Sequence, residues 1–202
     1  MGLNLILKSL TMFAVVLYVC GFLQAISAPS GTAPPIVTAA NREDSDLLSS
    51  VVASNLSGVD RKMVVISETI ASDPLSFVDA FTVYKRTHPQ PSIQEAFDDF
   101  KRRNASLSAT PPLVLEKPTI YVKRSVIHSI FEHGFWNEFY NQYPGTGGFI
   151  DMSLPGYSKD RNTALLYLEM LSGGLNGSGE LLLLEKKAGF WKVKDGLTGW
   201  VS

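Results

Sequence analysis

The chain has 202 residues, of which 45% are hydrophobic and 18% are charged. Disordered chains carry fewer apolar residues and more net charge, so this composition excludes bulk disorder and fits one folded domain with an extension. The formal net charge of −1 excludes the basic surface that binds nucleic acid through its phosphates. A single cysteine excludes an internal disulfide and a cysteine-based zinc site, and we predict no cofactor.

The N-terminal segment is apolar and almost uncharged. Lys8 is the only charged residue among the first 28, and an apolar stretch follows it up to Leu23. The small residue Ala28 then precedes a Pro-rich segment, which is the pattern of a secretory signal peptide, predicted here over residues 1–28. The alternative is an uncleaved membrane anchor over residues 3–23, since this stretch approaches the length that spans a bilayer. Both interpretations predict an extracytoplasmic protein, periplasmic or secreted, that touches a membrane only through this segment.

A flexible linker is predicted over residues 29–46, because they are rich in Pro, Gly, Ser and charged residues and show no apolar period. A single α+β domain is predicted over residues 47–202. Apolar residues at helical spacing predict its first helix from Leu47, with Gly58 at the end. The short β-branched run in residues 62–67 predicts the first strand.

A second helix is predicted over residues 92–103. Ser92 and Glu95 have the spacing of a capping box, and three apolar residues share one face. Glu95, Asp98 and Asp99 lie outside that face, where a solvated polar surface accounts for them without any catalytic role.

The central part of the chain predicts one strand and two helices in close succession. The strand covers residues 119–123, the first helix covers residues 125–133 and stops at Gly134, and the second covers residues 135–143. This second helix carries five aromatic residues. Four of them form one helical stripe, which predicts core packing against a sheet: Trp136, Phe139, Tyr140 and Tyr143.

The C-terminal third is rich in strand patterns. Four strands are predicted, over residues 148–153, 163–170, 180–186 and 189–194, and the last three form an antiparallel meander. The run Leu181–Leu184 is apolar throughout, which is typical of a strand covered on both faces. The predicted fold class is α+β, with helices packed on one face of a mostly antiparallel sheet that ends in a C-terminal β-meander.

The same third contains a series of short motifs. They are Phe135-Trp136-x-x-Phe139-Tyr140-x-x-Tyr143-Pro144, the Gly-rich loop 172–179, the strand Leu182–Lys186 and the closing Trp200-Val201-Ser202. Their order resembles a family of uncharacterised exported bacterial proteins, over residues 47–202. The resemblance implies export and brings no established activity or catalytic residue. This chain departs from the family pattern in lacking an arginine within Ser153–Tyr157 and in having Ser172 and Asn176 where relatives tend to have cysteines.

Two further motifs invite chemical interpretations that their context does not favour. The Gly-rich loop 172–179 lacks the helix and lysine of a phosphate-binding loop, so we interpret it as a hairpin loop in which glycine provides positive φ. His128 and His133 are five residues apart, which puts their rings on different sides of a helix and argues against a metal site.

The absence of an assembled catalytic set favours a non-enzymatic binding or interaction module. Its partner is expected to be an unidentified protein or a small-molecule ligand. A pocket lined by Trp136, Tyr140 and Tyr157 is the candidate ligand site.

The alternative function is an extracytoplasmic hydrolase whose site comes from residues distant in sequence. It predicts that His128 or His133 lies within hydrogen-bond reach of an acid or a hydroxyl group. The candidates for that partner are Asp151, Asp160 and Ser153.

Overall fold

The structure is a computed structural model, and it describes residues 41–56, 63–67, 78–106 and 108–202. The predicted signal peptide or anchor lies outside the described residues, as do residues 29–40 of the predicted linker. No helix in the described ranges combines the length and the hydropathy that a membrane span requires.

Within these ranges the chain forms five helices and seven strands. In chain order they are α1 (Arg42–Asn55), β1 (Met63–Ser67), α2 (Val78–Thr87), α3 (Pro91–Arg103), β2 (Thr119–Val122), α4 (Arg124–His133), α5 (Phe135–Gln142), β3 (Thr146–Met152), β4 (Gly156–Tyr157), β5 (Thr163–Leu171), β6 (Gly177–Lys187) and β7 (Phe190–Val201).

All seven strands belong to one mixed sheet with the order β2-β1-β3-β5-β6-β7, and β4 pairs with β5 beside the end of β3. The strands β2, β1 and β3 are parallel, and the remaining pairs are antiparallel. The α+β class, the mostly antiparallel sheet and the C-terminal meander β5–β7 are therefore confirmed.

Helices cover both faces of the sheet. The helices α2 to α5 pack on one face, as predicted, whereas α1 packs on the other, where Leu48 and Val52 join Leu182 and Leu184. The prediction of one covered face is corrected in this respect. Strand β6 shows the reason, because its four consecutive leucines present apolar groups on both sides and each side needs a cover.

Helix α1 starts at Arg42, five residues before the predicted start of the domain. The predicted linker therefore ends before Arg42, and the turn that follows is helical although it is polar. Asp44 is only 5% exposed and pairs with Arg103 of α3 through both terminal guanidinium nitrogens, at 3.0 and 2.6 Å. The hydroxyl of Tyr157 donates to the same carboxylate at 2.9 Å. This ion pair between distant residues explains why an apolar period does not mark the start of the helix.

Helix α3 begins at Pro91, with Gln90 in extended conformation and no side-chain cap. The predicted capping box is therefore wrong, because proline with its fixed φ already occupies the first helical position. Glu95 instead accepts the backbone N–H of Lys159, and Asp99 accepts that of Tyr157. Asp99 therefore holds β4 and Glu95 holds the loop after it, so these carboxylates are not merely a solvated face.

The two hairpins of the meander differ in their use of glycine. Ala188 and Gly189, between β6 and β7, both have positive φ, as a two-residue hairpin turn of type I′ requires. In the Gly-rich loop 172–179 no residue has positive φ. The prediction that glycine provides positive φ in this loop is therefore wrong. A Cβ on Gly179 would lie 2.2 Å from Trp200 Nε1, so glycine there allows the close approach of the indole ring.

Candidate ligand-binding cleft

A cleft lies where the three parallel strands end. Ser67 is the last residue of β1, Arg124 follows the end of β2, and Asp151 lies near the end of β3. Parallel strands bring their carboxyl ends to the same edge of a sheet, and ligands of open α/β sheets bind at that edge. We call this hollow the α4 cleft, because helix α4 forms its side.

The α4 cleft has a polar part of about 270 Å³ and an aromatic part of about 280 Å³. The two parts adjoin, because Phe131, Phe149 and Leu171 line both. The polar part is further lined by Ser67, Arg124, Ile127, His128, Asp151 and Glu169. The aromatic part is further lined by Phe135, Trp136, Gly173, Gly174 and Ser202.

Asp151 is the most deeply buried charged group of the cleft, with 3% of its surface exposed. Its carboxylate forms an ion pair with Arg124 and accepts the backbone N–H of Met152 at 2.9 Å. Burial raises the pKa of Asp151 to about 6, and the opposing effect of the Arg124 guanidinium does not cancel that of burial. Asp151 therefore loses its proton at about pH 6 and is mostly ionised at neutral pH.

Glu169 lies directly opposite Asp151 in the antiparallel register of β3 and β5. Like charges in this position repel each other, and Glu169 contributes to the raised pKa of Asp151. The hydroxyl of Tyr167 donates to Glu169, and Trp200 Nε1 donates to the same hydroxyl at 3.3 Å. These contacts fix the side chain of Glu169 but bring no positive charge to it.

The aromatic part is built by rings of α4, α5 and β3. Phe131 and Trp136 meet edge to face at 4.8 Å, and Trp136 stacks with Phe149 at 6.0 Å. Phe135 is 61% exposed and has a φ of 57°, which is rare for a bulky residue. Strain of this kind concentrates at functional sites. The exposed ring of Phe135 adds apolar surface beside the polar part of the cleft, which contains Asp151 and Glu169.

The loop Ser172–Asn176 closes one end of the aromatic part. Tyr140 donates its hydroxyl to the backbone carbonyl of Ser172 at 2.8 Å, which fixes the loop against α5. A Cβ on Gly174 would meet nothing within 4 Å, so this position borders open space.

The predicted pocket of Trp136, Tyr140 and Tyr157 does not form. Trp136 and Tyr140 stack on each other at 5.7 Å beside Phe139. Tyr157 belongs to the α1 side of the sheet, where it packs against Trp191 at 5.7 Å. The sheet separates Tyr157 from Trp136 and Tyr140. Tyr157 belongs to strand β4 and its side chain lies on the α1 face, whereas the other two residues belong to helix α5 on the opposite face. The core interpretation of that stripe is correct for Phe139 and Tyr143, which are buried.

The arrangement expected of a hydrolase is not formed among the described residues. His128 lines the α4 cleft, but its Nε2 pairs with Glu132 at 3.1 Å. His133 Nδ1 lies 2.8 Å from the carbonyl oxygen of Ser129.

Ser153 and Asp160, two of the residues predicted as partners of these histidines, have other contacts. Ser153 Oγ accepts the backbone N–H of Tyr167, and Asp160 accepts the hydroxyl of Ser158. In the part of the chain that the structure describes, no three His, Cys, Asp or Glu side chains gather as metal ligands.

A second hollow, of about 480 Å³, lies between α3 and the segment formed by β4 and the loop after it, and it is larger than either part of the α4 cleft taken alone. Its lining is charged, and its groups are used within the protein: Asp99 pairs with Arg102, and Glu95 pairs with Lys159. It offers no aromatic surface beyond Tyr157, whose ring is covered by the guanidinium of Arg161 at 4.2 Å. We therefore regard the α4 cleft as the better ligand site.

Sequence reasoning missed Arg124 and Glu169 as site residues. The available signal was a single acid inside an apolar strand, which occurs once in β3 at Asp151 and once in β5 at Glu169. Such an acid must find a partner or a solvated hollow. Only the strand register, which the sequence does not give, shows that the two acids face each other.

No protein-family model, curated protein or solved structure matches this chain.

Proposed function

We propose that this protein is an exported, non-enzymatic binding module that captures a small amphipathic molecule in the α4 cleft. The observation that carries the proposal is the joining of a polar and an aromatic hollow through Phe131, Phe149 and Leu171. Pockets that bind small molecules are lined by aromatic groups and contain a few converging polar groups. Export rests on the apolar N-terminal segment and on the family resemblance.

A binding role is favoured over catalysis by the state of the polar groups. The guanidinium of Arg124 is engaged by Asp151, and Glu169 is held by the hydroxyl of Tyr167. His128, the histidine of the lining, pairs through its Nε2 with Glu132 at 3.1 Å, a residue outside the lining. The groups therefore recognise a ligand and do not transfer a proton within a catalytic set.

The proposal is tested by filling the aromatic part. The full-length chain is titrated with N-phenyl-naphthylamine, an uncharged probe whose fluorescence rises in apolar surroundings. The variant Gly174→Phe places a ring in the open space beside Gly174 and is expected to weaken saturable binding at least about tenfold, because it occupies the volume that the probe needs.

The matched control is Leu175→Phe, one residue further along the same loop. Leu175 is 88% exposed and does not line the cleft, so probe affinity is expected to stay within about twofold of the unaltered chain. All three proteins keep the N-terminal apolar segment, and any probe bound to that segment is the same in each. Absence of saturable binding, or equal binding by Gly174→Phe, contradicts the proposal.

A further inference from the structure

We propose that the ligand of the α4 cleft carries a positively charged amine head group, held by Glu169, on an aromatic or alkyl body that lies against Phe131, Phe149 and Trp136. This inference rests on the proposed function, since it specifies the chemistry of the molecule that the cleft binds. Three independent observations support it: the charge balance of the cleft, the position of Glu169, and the rings beside it.

The charge balance of the cleft is negative. Its lining contains one arginine, two carboxylates and His128. The positive charge of Arg124 is offset by its ion pair with Asp151. Glu169 takes part in no ion pair within the described ranges, so its carboxylate is the charge left to attract a ligand. An anionic ligand meets an arginine that is already paired and a carboxylate that repels it.

The position of Glu169 makes its charge available to a ligand. Its side chain projects from β5 into the polar part of the cleft, two residues before Leu171, which lines both parts. Tyr167 holds it through a donated hydroxyl hydrogen bond. A head group at Glu169 therefore places the body of the same molecule over Leu171 and into the aromatic part.

The rings of the aromatic part favour a cation as well as an apolar body. Ammonium groups are attracted to the faces of Trp, Tyr and Phe within about 6 Å of the ring centroid. Phe131 and Phe149 lie at the junction of the two parts, where they are close to the charged end. An amine at this junction gains from the carboxylate and from the rings together, which a neutral alcohol of the same shape does not.

The test uses three competitors that share one naphthyl body and differ in charge. Naphthylmethylamine, naphthylmethanol and naphthoate displace N-phenyl-naphthylamine from the full-length chain at neutral pH. We expect the ammonium to bind about tenfold more tightly than the alcohol, because it adds an ion pair and a cation–π contact, and the carboxylate to bind most weakly.

The variant Glu169→Gln isolates the head-group contact. Glutamine keeps an oxygen that accepts the hydroxyl of Tyr167, so the cleft retains its shape, while the charge is removed. The ammonium should lose its roughly tenfold advantage, and the alcohol should change by less than about twofold. Glu132→Gln is the matched control, because it removes the same charge from α4 outside the cleft lining and should leave both affinities within about twofold.

The possible failures are distinct. If the uncharged probe does not bind the unaltered chain, the proposed function is wrong. If the probe binds and the carboxylate or the alcohol displaces it as well as the ammonium does, only the charge assignment is wrong. An equal effect of Glu132→Gln and Glu169→Gln on the ammonium also overturns the assignment, because it attributes the preference to the overall field of the protein.

Discussion

Replacement of Asp151 by asparagine should change how the stability of this protein depends on pH. Asparagine has the same shape, and it can still accept the backbone N–H of Met152, but it does not titrate. The raised pKa means that the folded protein holds the proton of Asp151 more tightly than the unfolded chain does. The stability that this proton contributes is complete below the ordinary pKa of 3.8 and is lost as the pH rises through about 6.

The size of the effect follows from the two pKa values. A folded pKa of about 6 against an unfolded value of 3.8 corresponds to about 3 kcal/mol in the free energy of unfolding. About 2 kcal/mol of this develops between about pH 4.5 and about pH 7.5. Across that interval the stability of Asp151→Asn should therefore rise by about 2 kcal/mol relative to that of the unaltered chain.

The measurement is urea unfolding at a series of pH values, followed by circular dichroism and tryptophan fluorescence. Only the slope with pH is interpreted, because loss of the partner of Arg124 adds a change that does not vary with this titration. Glu116→Gln, at an exposed carboxylate, serves as the control for removal of a negative charge. A stability difference between Asp151→Asn and the unaltered chain that stays constant within about 0.5 kcal/mol would refute the reasoning, since Arg124 would then offset the burial of Asp151 entirely.

Three further predictions concern close contacts and backbone strain within the fold. Gly156→Ala should lower the free energy of unfolding in urea by on the order of 3 kcal/mol, because the added Cβ would lie 2.2 Å from the backbone nitrogen of Phe100. An unchanged midpoint of the urea transition contradicts this close contact. Arg103→Met should cost about 3–5 kcal/mol, because it leaves Asp44 buried without its cation, and a loss below about 1 kcal/mol contradicts that role. Phe135→Gly should raise the melting temperature through relief of positive φ, worth about 1 kcal/mol, whereas a lower value shows that the exposed ring stabilises the fold more than its backbone strain costs.

Local patterns were sufficient to predict the meander and most helices. The alternation and apolar runs of β5 to β7 depend on neighbours that are close in sequence, and Gly134 separates α4 from α5 as predicted. The same reasoning failed at the start of α1, where Arg42 begins a helix whose first turn is polar. The partner that makes this turn stable, Arg103, lies 59 residues from Asp44, and no local period records such a contact.

The candidate site was harder to predict than the fold. The sequence groups Trp136, Tyr140 and Tyr157 as aromatic residues, but a pocket depends on which face of the sheet each one occupies. The opposition of Asp151 and Glu169 depends on the register between β3 and β5, and a shift of one residue would send one acid to the other face. Register is set by packing across the whole sheet, so the sequence alone does not predict the cleft.

The junction between β3 and β5 divides the sheet into a parallel half and a meander with short connections. The meander pairs residues that are near in sequence, so its formation carries a small entropic penalty for loop closure. The parallel half needs long crossover connections, which slow folding. Since Asp151 and Glu169 lie on the two sides of this junction, the cleft exists only after both halves have joined. Ligand capture should therefore appear in the last kinetic phase of refolding, later than the far-ultraviolet signal of the hairpins.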